Sequence, residues 1–374
     1  MRIVNIVGAR PNFMKMAPLM REMQRHAEIT ATLVHTGQHY DDRMAGRFFR
    51  DLELAPPDIS LEVGSGSHAF QTAEVMKRLE PVLTELRPHV VVVVGDVNST
   101  LAGAITATKL GIPVAHVEAG LRSFDRSMPE EINRLLTDAV SDQLFVTEES
   151  GHANLLREGI DAGKIHMVGN VMIDSLEQCR PAWEQSDVIA RLGLRRGGYG
   201  VVTLHRPSNV DDPATLRGLL GVLAEIERRL PLVFPVHPRT QSRLEALEIG
   251  SSGGSRARYI APLGYLEFVG LVAGSRLVLT DSGGLQEETT ALGVPCLTLR
   301  EQTERPVTVT EGTNCIVGTA PDRIVGEAAR VLDRPPPRRP RPPLWDGHAA
   351  ERIVAILRGA KQRTGARADG AHAR

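Results

Sequence analysis

Three carboxylates, Asp96, Glu118 and Glu130, each lie at or near the end of an apolar run. His89–Val94 leads into Gly95-Asp96-Val97-Asn98-Ser99-Thr100, Pro113–Val117 leads into Glu118-Ala119-Gly120-Leu121-Arg122, and Pro129-Glu130-Glu131-Ile132-Asn133-Arg134 then opens a helix. Carboxylates gathered in one crevice raise one another's pKa and can divide into general acid and general base. Plainer readings stand beside that one. Asp96 can cap a helix, Glu118 can be a solvated strand-end charge, and Glu130 can be a first-turn carboxylate favoured by the helix dipole. Glu131 competes with Glu130 and ranks second.

A second group of residues suits an anion. Gly8-Ala9-Arg10-Pro11, with Lys15 one turn further on, combines a glycine turn, cations and a helix start, although a surface Arg and Lys beside a tight turn would read the same. Thr280-Asp281-Ser282-Gly283-Gly284-Leu285-Gln286-Glu287-Glu288 is a strand end, a glycine turn and a helix start. The backbone N–H groups of Ser282, Gly283 and Gly284 can cradle a diphosphate, and Glu288, one turn in, can accept two ribose hydroxyls. His205 and His237 also end strands, and Arg300 and Arg305 follow the last main strand.

These residues need a scaffold that brings strand ends together. Strands are predicted at Ile3–Val7, Thr32–His35, His89–Val94, Pro113–Val117 and Leu144–Thr147, with helices at Asn12–Arg25, Ser99–Lys109 and Glu130–Asp142. The β-branched His89–Val94 run suits a strand covered on both faces of a parallel sheet. After Asn170 a helical stretch, Met172–Leu192, breaks or kinks at Pro181, and the pattern restarts. Strands follow at Val201–Leu204, Leu232–Val236, Tyr259–Ala261, Leu277–Thr280 and Val294–Leu297. Each half reads as a doubly wound α/β domain, where ligands bind beyond the carboxyl ends of the strands. Gly250–Ser255 is expected to be a flexible loop and Arg334–Pro343 an extended solvated linker. Asp346 is the expected N-cap of a last helix, Ala349–Leu357.

The bulk properties narrow the function. At 374 residues two domains are the default, and 42% hydrophobic with 24% charged residues is ordinary globular composition. A formal net charge of -1 gives no global field for nucleic acid or an anionic membrane. Cys179, Cys296 and Cys315 are widely spaced, so neither a disulfide framework nor a metal site is expected, and Cys296 and Cys315 read as buried core thiols. No apolar run is long enough for a signal peptide or a spanning helix, and the expected location is cytoplasmic.

Taken in order, GARPNFMKMAPL, TGQHYDD, GDVNSTLAGA, HVEAGLRS, PEEINR, GNVMID, LHRPSN, TDSGGLQEE, REQTERP and WDGHAAERI closely resemble the non-hydrolysing UDP-N-acetylglucosamine 2-epimerase family, over residues 1–358. The resemblance implies a glycosyltransferase-B-type fold, with two Rossmann-like doubly wound domains facing a central cleft. Residues 1–170 would carry the catalytic carboxylates and 171–345 would bind UDP. The helix at 346–360 would cross back to the first domain, and 361–374 would be a disordered tail. It implies reversible epimerisation of UDP-N-acetylglucosamine to UDP-N-acetylmannosamine, by elimination of UDP and re-addition to 2-acetamidoglucal, with no nicotinamide or other cofactor and no metal. Asp96, Glu118 and Glu130 would be the acid/base groups, with His205 beside the leaving diphosphate. Arg10, Ser282, Gly283 and Gly284 would hold the phosphates and Glu288 the ribose, with Lys15 and Arg305 in support. A homodimer is the family expectation, with no nucleic-acid or membrane partner.

The chain also departs from the family pattern. His205-Arg206-Pro207-Ser208-Asn209 stands where many relatives have H-R-R-E-N, and Val307 follows Pro306 where Glu is common. Gln38-His39-Tyr40, followed by Asp41 and Asp42, replaces Q-H-R at the loop where bacterial relatives can bind a second, activating substrate, so activation by substrate is expected to be weak. A hydrolysing epimerase would use the same residues. A glycosyltransferase would need an acceptor groove with an apolar or basic patch, and no such patch is visible. A nucleotide-sugar sensor would be expected to lack a carboxylate, and all are present.

Overall fold

The computed structural model describes residues 1–37, 51–52, 54–247, 258–334 and 339–359. The expectations for Gln38–Asp42, Gly250–Ser255 and the tail from Lys361 lie outside the described residues. The chain divides into two compact units. The first is Met1–Gln178 together with the chain from Pro343 onward, and the second is Cys179–Pro342.

The first unit is built on β1 (Arg2–Val7), β2 (Thr30–His35), β3 (Ile59–Ser60), β4 (Val90–Val94), β5 (Val114–Ala119), β6 (Gln143–Val146) and β7 (Ile165–Met167). Their spatial order is β3-β2-β1-β4-β5-β6-β7, and every pairing is parallel. All five valines of β4 are buried, as the continuous β-branched run requires of a strand with helices on both faces. One of those helices, His68–Leu86, was not expected from sequence. Its Val75, Leu79 and Leu83 recur every four residues and pack against Val4, Val91 and Val93. Pro81 sits inside it and masks the period, and the helix ends at Arg87 in the left-handed conformation.

The second unit holds β8 (Gly200–Thr203), β9 (Leu232–Pro235), β10 (Arg258–Ile260), β11 (Leu277–Thr280), β12 (Cys296–Thr298) and β13 (Asn314–Ile316), in the order β10-β9-β8-β11-β12-β13 and again all parallel. Its core sets β8, β9 and β11 against the Pro213–Glu227 helix, through Val202, Leu216, Leu219, Leu223, Phe234 and Leu279. The edge strands β3, β7 and β13 have two or three residues each, too few for a readable period.

Strand order explains where function can sit. In each sheet the chain first builds to one side and then returns to the other. The direction therefore reverses between β1 and β4, and between β8 and β11, and a crevice opens at such a switch point. Gly8–Asn12 and Gly95–Asp96 follow the first pair of strands. Leu204–His205 and Asp281–Gly284 follow the second.

Several local expectations are corrected. Cys296 is buried, but Cys315 on β13 is only partly so, because an edge strand is covered on fewer sides. Arg341 is not wholly solvated; its Nε donates to the Ala291 carbonyl at 2.9 Å. Asp346 does not cap the last helix, which is helical over 349–359. It accepts the His348 N–H at 3.2 Å and pairs with Arg352. The N–H groups of Ala349 and Ala350 go instead to the Asp174 carboxylate, at 3.1 and 2.7 Å. Burial pushes that carboxyl up to about 6, against the pull of those two N–H groups. Trp345, fully buried, donates its Nε1–H to the Thr147 carbonyl at 3.0 Å.

Gly120 follows β5 at φ +79°, and a Cβ there would overlap the Gly151 carbonyl. Gly120→Ala is expected to cost about 1–3 kcal/mol or more, since the backbone strain adds to the clash. Urea unfolding measures it, and an unchanged midpoint would remove the need for glycine.

Candidate active site

In the first unit the β1 and β4 ends are tied by Asn12. Its Oδ1 accepts from the Gly8 and Ala9 N–H groups at 3.1 and 3.0 Å, and its Nδ2 donates to the Val94 carbonyl at 3.0 Å. The helix Arg10–Gln24 therefore starts against the β4 end, with Arg10 as its first residue. One turn on, Lys15 is buried and ion-paired with the buried Glu118. That excludes the surface reading of Lys15 and the solvated reading of Glu118.

Glu118 has φ +73°, a left-handed conformation that costs about 1–2 kcal/mol for a residue with a Cβ. It lies where the β5–β6 register shifts between Val117 and Ala119. The bulge turns this one carboxylate toward Lys15 instead of continuing the strand alternation. Gly95, at φ +68°, makes room: a Cβ there would lie 2.9 Å from Lys15 Nζ and 3.3 Å from Glu118 Oε2.

Asp96 is not a helix cap, since Val97 is the N-cap of Asn98–Lys109. Its Oδ2 meets Arg134 Nη1 at 2.5 Å, and its carbonyl accepts from Asn133 Nδ2 at 2.9 Å. Arg134 is in turn held by Glu131 Oε2, at 2.9 Å from Nε and 2.6 Å from Nη2. Glu131 also accepts the Ser123 and Phe124 N–H groups, each at 2.9 Å. Burial works against its ionised form, yet those bonds and Arg134 hold its carboxyl below the usual range. Glu131 is thus bound up in structure. Glu130, partly exposed in the first turn of Pro129–Val140, has no ion-pair partner among the described residues. Gly95, Lys15 and Glu118 are brought together directly, and Asp96 joins them through the Gly95 peptide. Glu130 stands one residue from the Asp96–Arg134–Glu131 chain.

In the second unit His205 and Asp281 face each other across the β8–β11 switch point. The Asp281 carboxylate, fully buried, accepts the N–H groups of His205 and Arg206 at 3.0 and 2.9 Å and Asn209 Nδ2 at 3.2 Å. His205 Nδ1 lies 2.9 Å from its Oδ1. Burial would raise the Asp281 carboxyl, but the His205 ring and the two N–H groups hold it below the ordinary range. The ring is therefore oriented with Nε2 turned away from Asp281, and the His237 ring lies 5.5 Å off at a tilt. Asp281 lies within the glycine-turn motif, and its place directly after β11 is the signal in the sequence that marks it.

The Gly283–Leu292 helix starts at Ser282, whose N–H donates to Thr280 Oγ1 at 2.9 Å. Gly283 is needed here, because a Cβ would lie 2.8 Å from Arg305 Nη1 and 2.9 Å from Glu304 Oε1. Arg305 is buried and doubly matched, at 2.5 Å by Glu304 and 2.9 Å by Glu287. Arg300 meets Glu304 at 2.9 Å, and Arg206 stands 3.9 Å from it. Three arginines against two glutamates leave an excess of positive charge beside a helix N-terminus, an arrangement that suits an anion. Burial alone would raise Glu304, but Arg305, Arg300 and Arg206 hold it well below the usual carboxylate range. Glu288 goes the other way. Burial pushes it up to about 7, against the pull of the Tyr265 hydroxyl beside it.

The first unit thus gathers carboxylates beyond its strand ends, and the second sets an oriented imidazole near an excess of positive charge at a helix start. A family model described as UDP-N-acetylglucosamine 2-epimerase matches residues 21–358. The chain belongs to this epimerase family. It is 42% identical over 364 residues to the UDP-N-acetylglucosamine 2-epimerase of Methanocaldococcus jannaschii, covering 96% of this chain and 99% of that one. The crystal structure of the M. jannaschii epimerase in complex with UDP-GlcNAc and UDP superposes with a TM-score of 0.88, over the same shares of both chains. The epimerase chain is also 43% identical over 338 residues to the UDP-2,3-diacetamido-2,3-dideoxy-D-glucuronate 2-epimerase of Pseudomonas aeruginosa, covering 89% of this chain and 93% of that one. The two-sheet epimerase architecture is of the glycosyltransferase-B type. Among its described residues no helix is long and apolar enough to cross a membrane, and no group of three or more His, Cys, Asp or Glu could hold a metal ion.

Proposed function

We propose that the protein inverts C2 of UDP-N-acetylglucosamine, interconverting it with UDP-N-acetylmannosamine and retaining UDP in the product. The C2–H bond is not next to a carbonyl, so a free carbanion would be very costly. Elimination avoids it. A carboxylate takes the C2 proton, the C–H electron pair becomes the C1=C2 bond of 2-acetamidoglucal, and UDP leaves with the C1–O pair. In the return step UDP oxygen attacks C1 while a second group delivers a proton to C2 on the opposite face. Two faces need two proton-transfer groups. Asp96 and Glu118 fill these roles, with Glu130 as the third acid/base group. His205, oriented by Asp281, steadies the leaving diphosphate through Nε2. Arg10 and the Ser282–Gly284 turn hold phosphate, Glu288 takes the ribose, and Lys15 and Arg305 brace the carboxylate and the turn.

The observation that carries this reading is Glu118, held in a left-handed backbone and paired in the interior with Lys15, one strand from Asp96. Backbone strain of this kind persists only where the surrounding structure holds it, and it clusters at active sites. A second substrate, UDP-2,3-diacetamido-2,3-dideoxy-D-glucuronate, is favoured by the comparable identity to the P. aeruginosa epimerase, and it presents the same acetamido group at C2. The test is incubation with each sugar nucleotide in heavy water, followed by NMR at C2. Deuterium at C2 in an inverted UDP sugar supports the reading, and the faster substrate names the specificity. Free N-acetylmannosamine with stoichiometric UDP would make the enzyme hydrolysing. No exchange with binding intact would overturn the reading. A cytoplasmic homodimer goes with this function, and sedimentation measures the assembly.

Glu288 must be ionised to accept two hydroxyls, and burial pushes its carboxyl up to about 7. Uridine, which carries no titrating phosphate, is therefore expected to bind about tenfold more weakly for each pH unit below that value. Calorimetry between pH 5 and 8 measures it. A flat profile would take Glu288 away from the ribose.

A further inference from the structure

One fully buried histidine lies outside the roles assigned so far. His116 stands on β5, two residues before Glu118. Its Nε2 lies 2.8 Å from the Gly95 carbonyl, which can only accept. Its Nδ1 lies 2.6 Å from Asp138 Oδ1. The other oxygen of Asp138 accepts the Gly120 N–H at 3.0 Å and stands 2.7 Å from Arg122 Nη2. Arg122 then pairs bidentately with Glu158, at 2.8 and 2.6 Å.

We propose that His116 is a doubly protonated positioning residue that, with Asp138, clamps the two turns carrying Asp96 and Glu118. Nε2 must hold a hydrogen to meet a carbonyl. A carboxylate that already receives an N–H and a guanidinium on its far oxygen is the ionised partner, so Nδ1 holds the second hydrogen. Burial resists that ionisation, but the His116 and Arg122 charges prevail and keep the Asp138 carboxyl below its ordinary range. The buried His116, Asp138 and Arg122 alternate in sign, and the exposed Glu158 continues the row to the surface beyond Arg122. The clamp reaches both turns. The ring fixes the peptide oxygen just before Asp96, and Asp138 fixes the N–H of Gly120, two residues after Glu118. The inference rests on reading Asp96 and Glu118 as the proton-transfer groups. A displacement of about 1 Å in such groups can cost on the order of 10²-fold in rate.

The test joins a spectroscopic and a kinetic measurement on the full-length enzyme. Ring 15N NMR of histidine-labelled protein at pH 7.5 is expected to show one solvent-shielded imidazole with hydrogen on both nitrogens, absent from His116→Gln. A ring with one bare nitrogen at this position overturns the proposal. His116→Gln keeps an N–H for Gly95 and loses the cation. Its kcat is expected to fall on the order of 10²-fold while KM and UDP affinity stay within about threefold. An unchanged kcat in folded variant overturns the clamp. Should His116→Gln not fold, Asp138→Asn carries both readouts, with loss of the doubly protonated signal and the same fall in kcat. The NMR result does not depend on which groups move protons, whereas full activity in Asp96→Asn and Glu118→Gln would remove the catalytic reading alone.

Discussion

Glu118→Gln is expected to lower kcat by about 10²–10⁴-fold, the range removed with a general acid or base. The affinity for UDP should stay within about twofold, because Glu118 is assigned no contact with UDP, and His205, the Ser282–Gly284 turn and Glu288 belong to the other unit. The substitution keeps the shape of the side chain and takes away its charge. It also leaves Lys15 buried beside a neutral amide, and breaking a buried pair from one side costs about 3–5 kcal/mol. Rates must therefore be referred to folded protein, by active-site titration with UDP. Asp96→Asn should behave alike in kcat with a smaller loss of stability, since its carboxylate is partly exposed and Arg134 keeps Glu131. The decisive measurement is deuterium wash-in at C2. Wild-type exchange in both variants would end the assignment of proton transfer to these carboxylates.

Glu304→Gln should lower stability by about 3–5 kcal/mol. Its carboxylate meets Arg305 and Arg300, with the half-buried Arg206 further off, and its loss leaves two interior guanidinium groups against Glu287 alone. The same residue predicts an acid limit. Its carboxyl is held low in the folded state, so its stabilisation is fully present above the unfolded value of about 4.3 and drains away as pH falls below it. Wild-type urea midpoints should therefore drop between pH 5 and 3 more steeply than those of Glu304→Gln. Parallel slopes would mean that other carboxylates set the acid limit. Because Arg305 and Glu304 lie where a Cβ of Gly283 would stand, the variant should also weaken UDP binding.

Much of the scaffold was legible because the first sheet's central strands are long, β-branched and followed at once by polar residues. Asp96, Glu118 and the Ser282–Gly284 turn could be picked out because a parallel sheet puts function at strand ends. What the sequence hid are partners. Arg134 neutralises Asp96 from 38 positions away, and Lys15 reaches Glu118 across 103. Neither distance leaves a local pattern. Lys15 resembles a surface lysine until the fold buries it. The bulge at Glu118 is equally silent, since left-handed backbone at a glutamate has no residue signature of its own. The His68–Leu86 helix was missed for a local reason, a proline within its span.

The first unit is made from both ends of the chain. Trp345 and the helix capped by Asp174 belong to it, yet they are synthesised after the whole of Cys179–Pro342. On the ribosome the amino-terminal sheet must therefore wait, with the site for Trp345 unfilled and the Asp174 carboxylate uncapped, until the second unit has emerged. Division at residue 178 would leave the first unit without Trp345 and its last helix. Its order of assembly is last-in, first-completed, and late truncations should injure the part of the molecule that was made first.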